Sequence, residues 1–261
     1  EIAMRRSRLL VLVALVVLVW AAPAMGQGIN LAWDQCWPEG GTANKRFACD
    51  TNAGWHAIVG SFVPVAPHPH FLGIEVILDV NSVASTLPDW WQFFNPGSCR
   101  RTALMASADF TSAPQTACVD PWGGSAVGGI AAYQTVTTTP PVPNGLPSSA
   151  RLLVWFALQV DNPLQELTEY YGFRLRISNA KTVGDSACAG CDVDMCITLK
   201  EIKVVDSDGS VERLSSPVQS TTVTWACGAW LWTYPPSCYH RPGCTVAARN
   251  TTWGQVKGLY R

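Results

Sequence analysis

The sequence has 261 residues, of which 48% are hydrophobic and only 14% are charged, and its formal net charge is −1. No basic stripe appears, so nucleic acid is not expected as a partner. The charged fraction lies well below the roughly 25% of an average soluble domain. This composition suits an exposed β-protein, or one that packs against a surface or against copies of itself.

The first 26 residues have the three-part organisation of a secretory signal peptide. Basic residues follow Met4, an apolar run covers residues 9–22, and small residues cover 22–26. The run of about 14 residues is shorter than the roughly 18–20 that a spanning helix needs. We therefore predict cleavage near residue 26, no membrane span after cleavage, and a secreted protein, extracellular or periplasmic. Residues 1–3 are interpreted as upstream read-through.

The remaining residues, 27–261, are predicted to form one all-β domain, a disulfide-stapled β-sandwich or jelly-roll with little helix. Short β-rich runs alternate with Gly- and Pro-rich connections, and residues 137–149 form a Pro-rich loop within that domain. One helical turn is possible in 162–168. The run 151–160 is apolar on both faces and is expected to be a central strand. Strands are predicted at 55–63, 72–80, 102–110, 129–136, 151–160, 170–178, 196–205, from 211, and at 223–226.

Two local patterns predict backbone detail near residues 196–212. The inward apolar positions change parity between Leu199 and Ile202, which predicts a β-bulge near Lys200 and Glu201. The sequence of residues 206–209, Asp-Ser-Asp-Gly, is typical of a hairpin turn. It also resembles part of a calcium loop, but two expected ligand positions hold Val204 and Ser215, so the turn is favoured.

Ten cysteines follow the leader, and in an exported protein an even number of thiols is normally oxidised. Spacing suggests the pairs Cys36–Cys49 and Cys99–Cys118. The others form two triplets, so we expect at least one bridge between the 188–196 loop and the disulfide-tied tail 227–261. Zinc or redox chemistry at the C-x-x-C pair is disfavoured by an oxidising compartment. All ten are predicted to be bridged: Cys36, Cys49, Cys99, Cys118, Cys188, Cys191, Cys196, Cys227, Cys238 and Cys244.

Few residues suggest catalysis or metal binding. His68 and His70 share a face on an extended chain and are weak candidates for a metal site with His56 or His240. Glu75 and Asp79 share a strand face but lie about 13 Å apart, wider than the ~5–9.5 Å of a glycosidase pair. No catalytic residue and no cofactor is therefore assigned.

Tryptophan is the other compositional signal, with twelve residues in the sequence. Trp230, Trp232 and Tyr234 alternate, so on a strand they would line one face, where a sugar ring could stack. The alternative is that these rings cap a core, because large aromatic side chains bury much area. For Trp90 and Trp91 the core interpretation is favoured.

The C-terminal stretch Asn250-Thr251-Thr252-Trp253-Gly254, ending in Leu259-Tyr260-Arg261, resembles that of a set of uncharacterised secreted proteins of environmental bacteria. The stretches 88–92, 128–134 and 171–173 are similar to the same set. The resemblance implies a family and export, and it carries over no catalytic residue.

Three functions follow as hypotheses. The first is a secreted, non-catalytic β-sandwich that binds a polysaccharide or cell-surface component through exposed aromatic rings. The alternative is a structural subunit of an extracellular fibre or coat, which self-assembles when Gly28–Trp33 adds to a neighbour's sheet edge. The third is a secreted hydrolase.

Overall fold

The computed structural model describes residues 26–110, 118–136 and 147–225. These residues form eleven strands and two single 3-10 turns, Trp37–Glu39 and Asp89–Trp91. Within these residues no helix is both long and apolar enough to cross a bilayer. The strands are β1 Gly28–Trp33, β2 Asn44–Lys45, β3 Trp55–Val63, β4 His68–Ser82, β5 Leu104–Ser107, β6 Val127–Thr135, β7 Ser149–Leu164, β8 Tyr170–Ser178, β9 Met195–Asp206, β10 Val211–Leu214 and β11 Thr222–Trp225.

The strands form two sheets that face each other, as the sequence predicts. The smaller sheet has the order β1-β3-β8-β5, and the larger has the order β2-β11-β9-β4-β7-β6 with β10 beside β9. All neighbouring pairs are antiparallel except β2 and β11. Alternate residues of β4, β7, β8 and β9 point between the sheets and form the core. The predicted β-sandwich is confirmed.

Strand periodicity locates most elements well. Residues 55–63 and 170–178 are strands with the predicted bounds, whereas β5 covers only Leu104–Ser107 of the predicted 102–110. The helical turn proposed for 162–168 is wrong: β7 continues to Leu164, and a tight turn leads on to β8. Residues 137–146 of the Pro-rich loop lie outside the described residues, and Ser149 already belongs to β7.

The parity change in β9 does produce a bulge. Ile77 of β4 pairs with Glu201, and the next residue, Leu78, pairs with Leu199, so Lys200 has no partner in the ladder. The extra residue lets the inward positions switch parity without exposing the core. The Asp206 to Gly209 hairpin is also confirmed, because Gly209 N–H donates to the Asp206 carbonyl at 3.0 Å.

Three disulfides join described cysteines, and they correct both predicted pairs. The bonds are Cys36–Cys118, Cys49–Cys191 and Cys99–Cys188. Closeness in sequence did not predict the pairs, because the sheets bring together loops whose cysteines are 82 to 142 residues apart in the sequence. Cys196 is also disulfide-bonded, and its partner is not among the described residues. The predicted bridge to the tail therefore stays a prediction, and Cys227, Cys238 and Cys244 lie outside the described residues.

The disulfide-bonded loop 188–191 closes one end of the sandwich over a cluster of tryptophans. Trp90 and Trp91 are fully buried, which confirms the core interpretation of that pair. Trp225 lies 5.0 Å and 5.1 Å from their rings, and its indole N–H donates to the Cys191 carbonyl at 2.6 Å. We call the buried rings of Trp90, Trp91 and Trp225 the tryptophan plug. The two disulfides of this loop hold it in place.

Both edges of strand β1 form backbone hydrogen bonds within its own chain. It pairs with β3, and Ile29 and Leu31 donate backbone hydrogen bonds to the carbonyls of Ser216 and Ser220. The buried Asn30 amide donates to Glu169 at 2.9 Å. The structure thus gives Gly28–Trp33 a place in this sandwich, which corrects the expectation that it is available to a neighbouring copy.

His56 should make the fold less stable in mild acid. Burial, with a contribution from the Lys45 charge, lowers the pKa of His56 from 6.5 to about 4. The unfolded chain therefore binds one more proton between these two pH values, so stability is lost as the pH falls through this window. In His56→Phe, which keeps the ring against Phe47, we expect a smaller loss between pH 7 and pH 5. Equal losses of urea midpoint in the two proteins would contradict this.

Candidate binding face

The outer face of the larger sheet is open. Along β4 and β7 the inward residues are buried and the outward residues are partly or largely exposed, as expected for an antiparallel sheet with one wet face. By contrast, β1 and most of β3 in the smaller sheet are buried at every position. The larger sheet therefore carries the accessible flat surface of the described chain.

Trp155 lies on this open face, one strand in from its edge. It belongs to β7, the neighbour of the β6 edge strand, and 44% of its surface is exposed. Directly across the strands it is flanked by Gly129 on β6 and Glu75 on β4. Nothing lies within 4 Å of where a side chain of Gly129 would begin. The indole therefore has open space on its β6 side.

On the same face, the next set of cross-strand neighbours is apolar and has short side chains. Val127 on β6 pairs with Ala157 on β7, and Ala157 pairs with Gly73 on β4. Gly73 pairs in turn with Val205 on β9. Val127 is 49% exposed. Ala157 is partly exposed and Gly73 is buried, so this row adds little side chain beside the Trp155 ring. We call Trp155 with Gly129, Glu75, Val127 and Ala157 the Trp155 platform.

Two charged pairs lie on the same face, one of them within the platform. Lys203 donates to Glu75 at 2.8 Å, and Arg151 makes two hydrogen bonds with Asp79 at 2.7 and 2.9 Å. The hydrogen bond to Asp79 is the main reason why the pKa of the Arg151 guanidinium is raised. Both carboxylates considered for a hydrolase are therefore held by cations on this face. One ion pair therefore lies beside the indole and the other lies four residues farther along the strands, so the two acids are not aimed at one bond.

The two histidines of the H-x-H motif have separate partners at the end of the larger sheet. His68 is buried, with Nδ1 3.1 Å from Asp206 and Nε2 2.9 Å from Glu212. His70 is largely exposed and contacts Asp161 at 3.1 Å. Carboxylates thus engage both ring nitrogens of His68 but only Nδ1 of His70. In the described ranges no three His, Cys, Asp or Glu side chains form a metal-binding group.

His56 lies apart from both, stacked on Phe47 with ring centroids 3.7 Å apart. The three-histidine site is therefore not formed by His56, His68 and His70. His240 lies outside the described residues.

The sequence-predicted platform, Trp230, Trp232 and Tyr234, lies outside the described residues and stays a prediction. Trp155 was missed as a site residue because its strand is apolar on both faces, a pattern that predicts burial on both sides. The signal that could have found it is Gly128-Gly129 in β6, which marks a neighbouring strand with almost no side-chain cover. Trp55 is the other exposed tryptophan of the described chain, at 47%, and it is covered on one side by Arg176, 4.3 Å from its ring.

No protein-family model and no curated protein matches this sequence. Among solved structures, the chain is similar to a cohesin module from a Clostridium perfringens ATCC13124 family 33 glycoside hydrolase. The identity is 9%, the match covers 77% of this chain and 98% of that module, and the TM-score is 0.35. A likeness this distant has no bearing on function. The chain's own residues establish a disulfide-bonded β-sandwich with an open sheet face.

Proposed function

We propose that the protein is an exported, non-catalytic β-sandwich that binds a polysaccharide through the Trp155 platform. The observation that carries this proposal is a tryptophan 44% exposed on the outer face of the larger sheet, with open space beside it. The disulfides support export, because such bonds persist in oxidising compartments.

Ring stacking suits this surface. The face of an indole carries negative charge density, and the C–H groups on the apolar face of a pyranose are weakly positive, so the two surfaces attract as well as exclude water. Covering about 80 Å² of apolar indole surface contributes about 2 kcal/mol. Beside the ring, the next row holds only the short apolar residues Val127, Ala157 and Gly73, which a sugar chain continuing past the ring would meet.

The polar border supports selectivity for hydroxyl groups. The Glu75 side chain is 60% exposed although it is paired with Lys203. Its carboxylate accepts hydrogen bonds and the Lys203 ammonium donates them, so the pair matches the mixed donor and acceptor character of neighbouring sugar hydroxyls. An exposed ion pair of this kind contributes little to stability, so the pair is free to serve recognition.

Substitution of Trp155 tests the proposal. The folded protein is titrated with soluble xylan, barley β-glucan and galactomannan, and is mixed with insoluble cellulose and chitin. For any polymer that binds, we expect Trp155→Ala to raise the dissociation constant about 30-fold, which corresponds to the ~2 kcal/mol of lost stacking. Intrinsic fluorescence or pull-down measures the change.

The matched control is Trp55→Ala, which removes an equally exposed tryptophan from the other sheet. Its affinity should equal that of the wild type. Binding that survives in Trp155→Ala and is lost in Trp55→Ala would overturn the placement of the site. Absence of binding to the whole panel would overturn the proposed function.

A further inference from the structure

A cleft lies at the end of the smaller sheet, away from the Trp155 platform. It has a volume of about 280 Å³ and lies beside the last residue of β8, Ser178, and the segment that leads into β5. Three of the side chains that line it are cationic: Arg100, Arg101 and Lys181. The remaining lining residues are small or polar: Ser98, Cys99, Thr102, Ala103, Ser178 and Ala180.

Arg100 is a buried cation without an acidic partner in the described part of the chain. Only 3% of its surface is exposed, and its guanidinium lies 3.4 Å above the Trp90 ring. Nη1 donates to the Trp90 carbonyl at 2.9 Å, and Nη2 donates to the Ser178 carbonyl. Nε–H, also buried, has no acceptor. Neutral carbonyls therefore orient the group but leave its charge uncompensated.

The two neighbouring cations are uncompensated as well. Within residues 26–110, 118–136 and 147–225, neither Arg101 nor Lys181 forms an ion pair. Lys181 donates to the Cys99 carbonyl at 2.8 Å, which holds its ammonium at the cleft. The Cys99–Cys188 bond fixes the loop on one side. Three positive charges are thus gathered around one small cavity on a scaffold that is cross-linked.

We propose that this cleft binds an oxyanion, a carboxylate or sulfate group, between Arg100, Arg101 and Lys181. A guanidinium presents N–H groups in a planar fork that matches the oxygens of such groups, and hydrogen bonds between charged partners are the strong ones. Taking up an anion would also offset the cost of a buried, unpaired charge. Burial lowers the pKa of Arg100 to about 9, which agrees with a cation that lacks its counter-charge.

The group could belong to a free ion or to an acidic sugar chain, and the experiment separates these sources. The isotope-labelled protein is titrated at constant ionic strength with sodium sulfate, with trigalacturonate, and with the neutral sugar cellotriose. Backbone amide shifts of residues 98–103 and 178–181 report binding. We expect saturable shifts there with sulfate or trigalacturonate and none with cellotriose; tighter binding of trigalacturonate would identify the acidic sugar as the source.

The test variant is Arg101→Gln/Lys181→Gln, which keeps the buried Arg100 in place. We expect the dissociation constant to rise about tenfold or more, because two charged hydrogen-bond donors are lost. The control, Arg46→Gln/Lys200→Gln, removes the same charge from exposed positions elsewhere and should bind as the wild type does. Absence of saturable shifts with both anions would overturn the proposal, as would equal binding by the two variants. Failure of the Trp155 platform to bind neutral polymers would not bear on this site.

Discussion

Trp225→Ala is expected to lower the free energy of unfolding by about 3–5 kcal/mol, the range for removing a large aromatic side chain from a core. Trp225 is 1% exposed and lies in ring contact with Phe47, Trp90 and Trp91, with centroids 4.0 to 5.1 Å apart. Its loss would also leave the Cys191 carbonyl without the indole donor. Urea unfolding followed by far-ultraviolet circular dichroism measures the change.

The control for this substitution is Trp155→Ala, which removes the same side chain from the open face. It should change the free energy of unfolding by no more than about 1 kcal/mol, because substitutions on exposed surface away from special features have small effects. If the two variants lost similar amounts of unfolding free energy, the assignment of Trp225 to the core and of Trp155 to the open face would be contradicted.

Cys49→Ala/Cys191→Ala is expected to cost about 2–5 kcal/mol, the usual effect of removing a native disulfide. The bond joins residues 142 apart in the sequence, so its loss frees a long stretch of the unfolded chain. It also removes one of the two disulfides that anchor the 188–191 loop over Trp225 and Trp90. Unfolding midpoints without reductant measure the effect.

The matched control changes the exposed neighbours, Asp50→Ala/Asp192→Ala, and leaves the bond intact. Its stability should stay within about 0.5 kcal/mol of the wild type. A double-cysteine variant as stable as this control would show that Cys49–Cys191 does not hold the sandwich end closed.

The strand elements were predictable because alternation is a local signal. In residues 170–178, Phe173 and Leu175 lie on the core face and Arg174 and Arg176 on the other face, where Arg174 is nevertheless buried; the strand has the predicted bounds. The bulge at Lys200 was predictable for the same reason, since one extra residue is the simplest way to shift the parity of a continuing strand.

The disulfide pairs and the open face were not predictable, because both depend on contacts between distant segments. Cys49 meets Cys191 only after β3 and β9 have entered different sheets whose ends coincide. Trp155 and Trp91 are chemically identical, yet one lies on the open face and the other in the core. Which face of an apolar strand is covered depends on what packs there, and β7 has only one packed face.

Oxidative footprinting of the tryptophans, read by peptide mass spectrometry, tests the central claim most directly. The protein is treated with N-bromosuccinimide, with and without a polysaccharide that it binds. The Trp155 platform predicts that Trp155 is protected in the complex and that Trp55 is oxidised equally in both samples. Unchanged oxidation of Trp155 in a bound complex would contradict this account, and protection of Trp230 or Trp232 instead would place the platform in the tail.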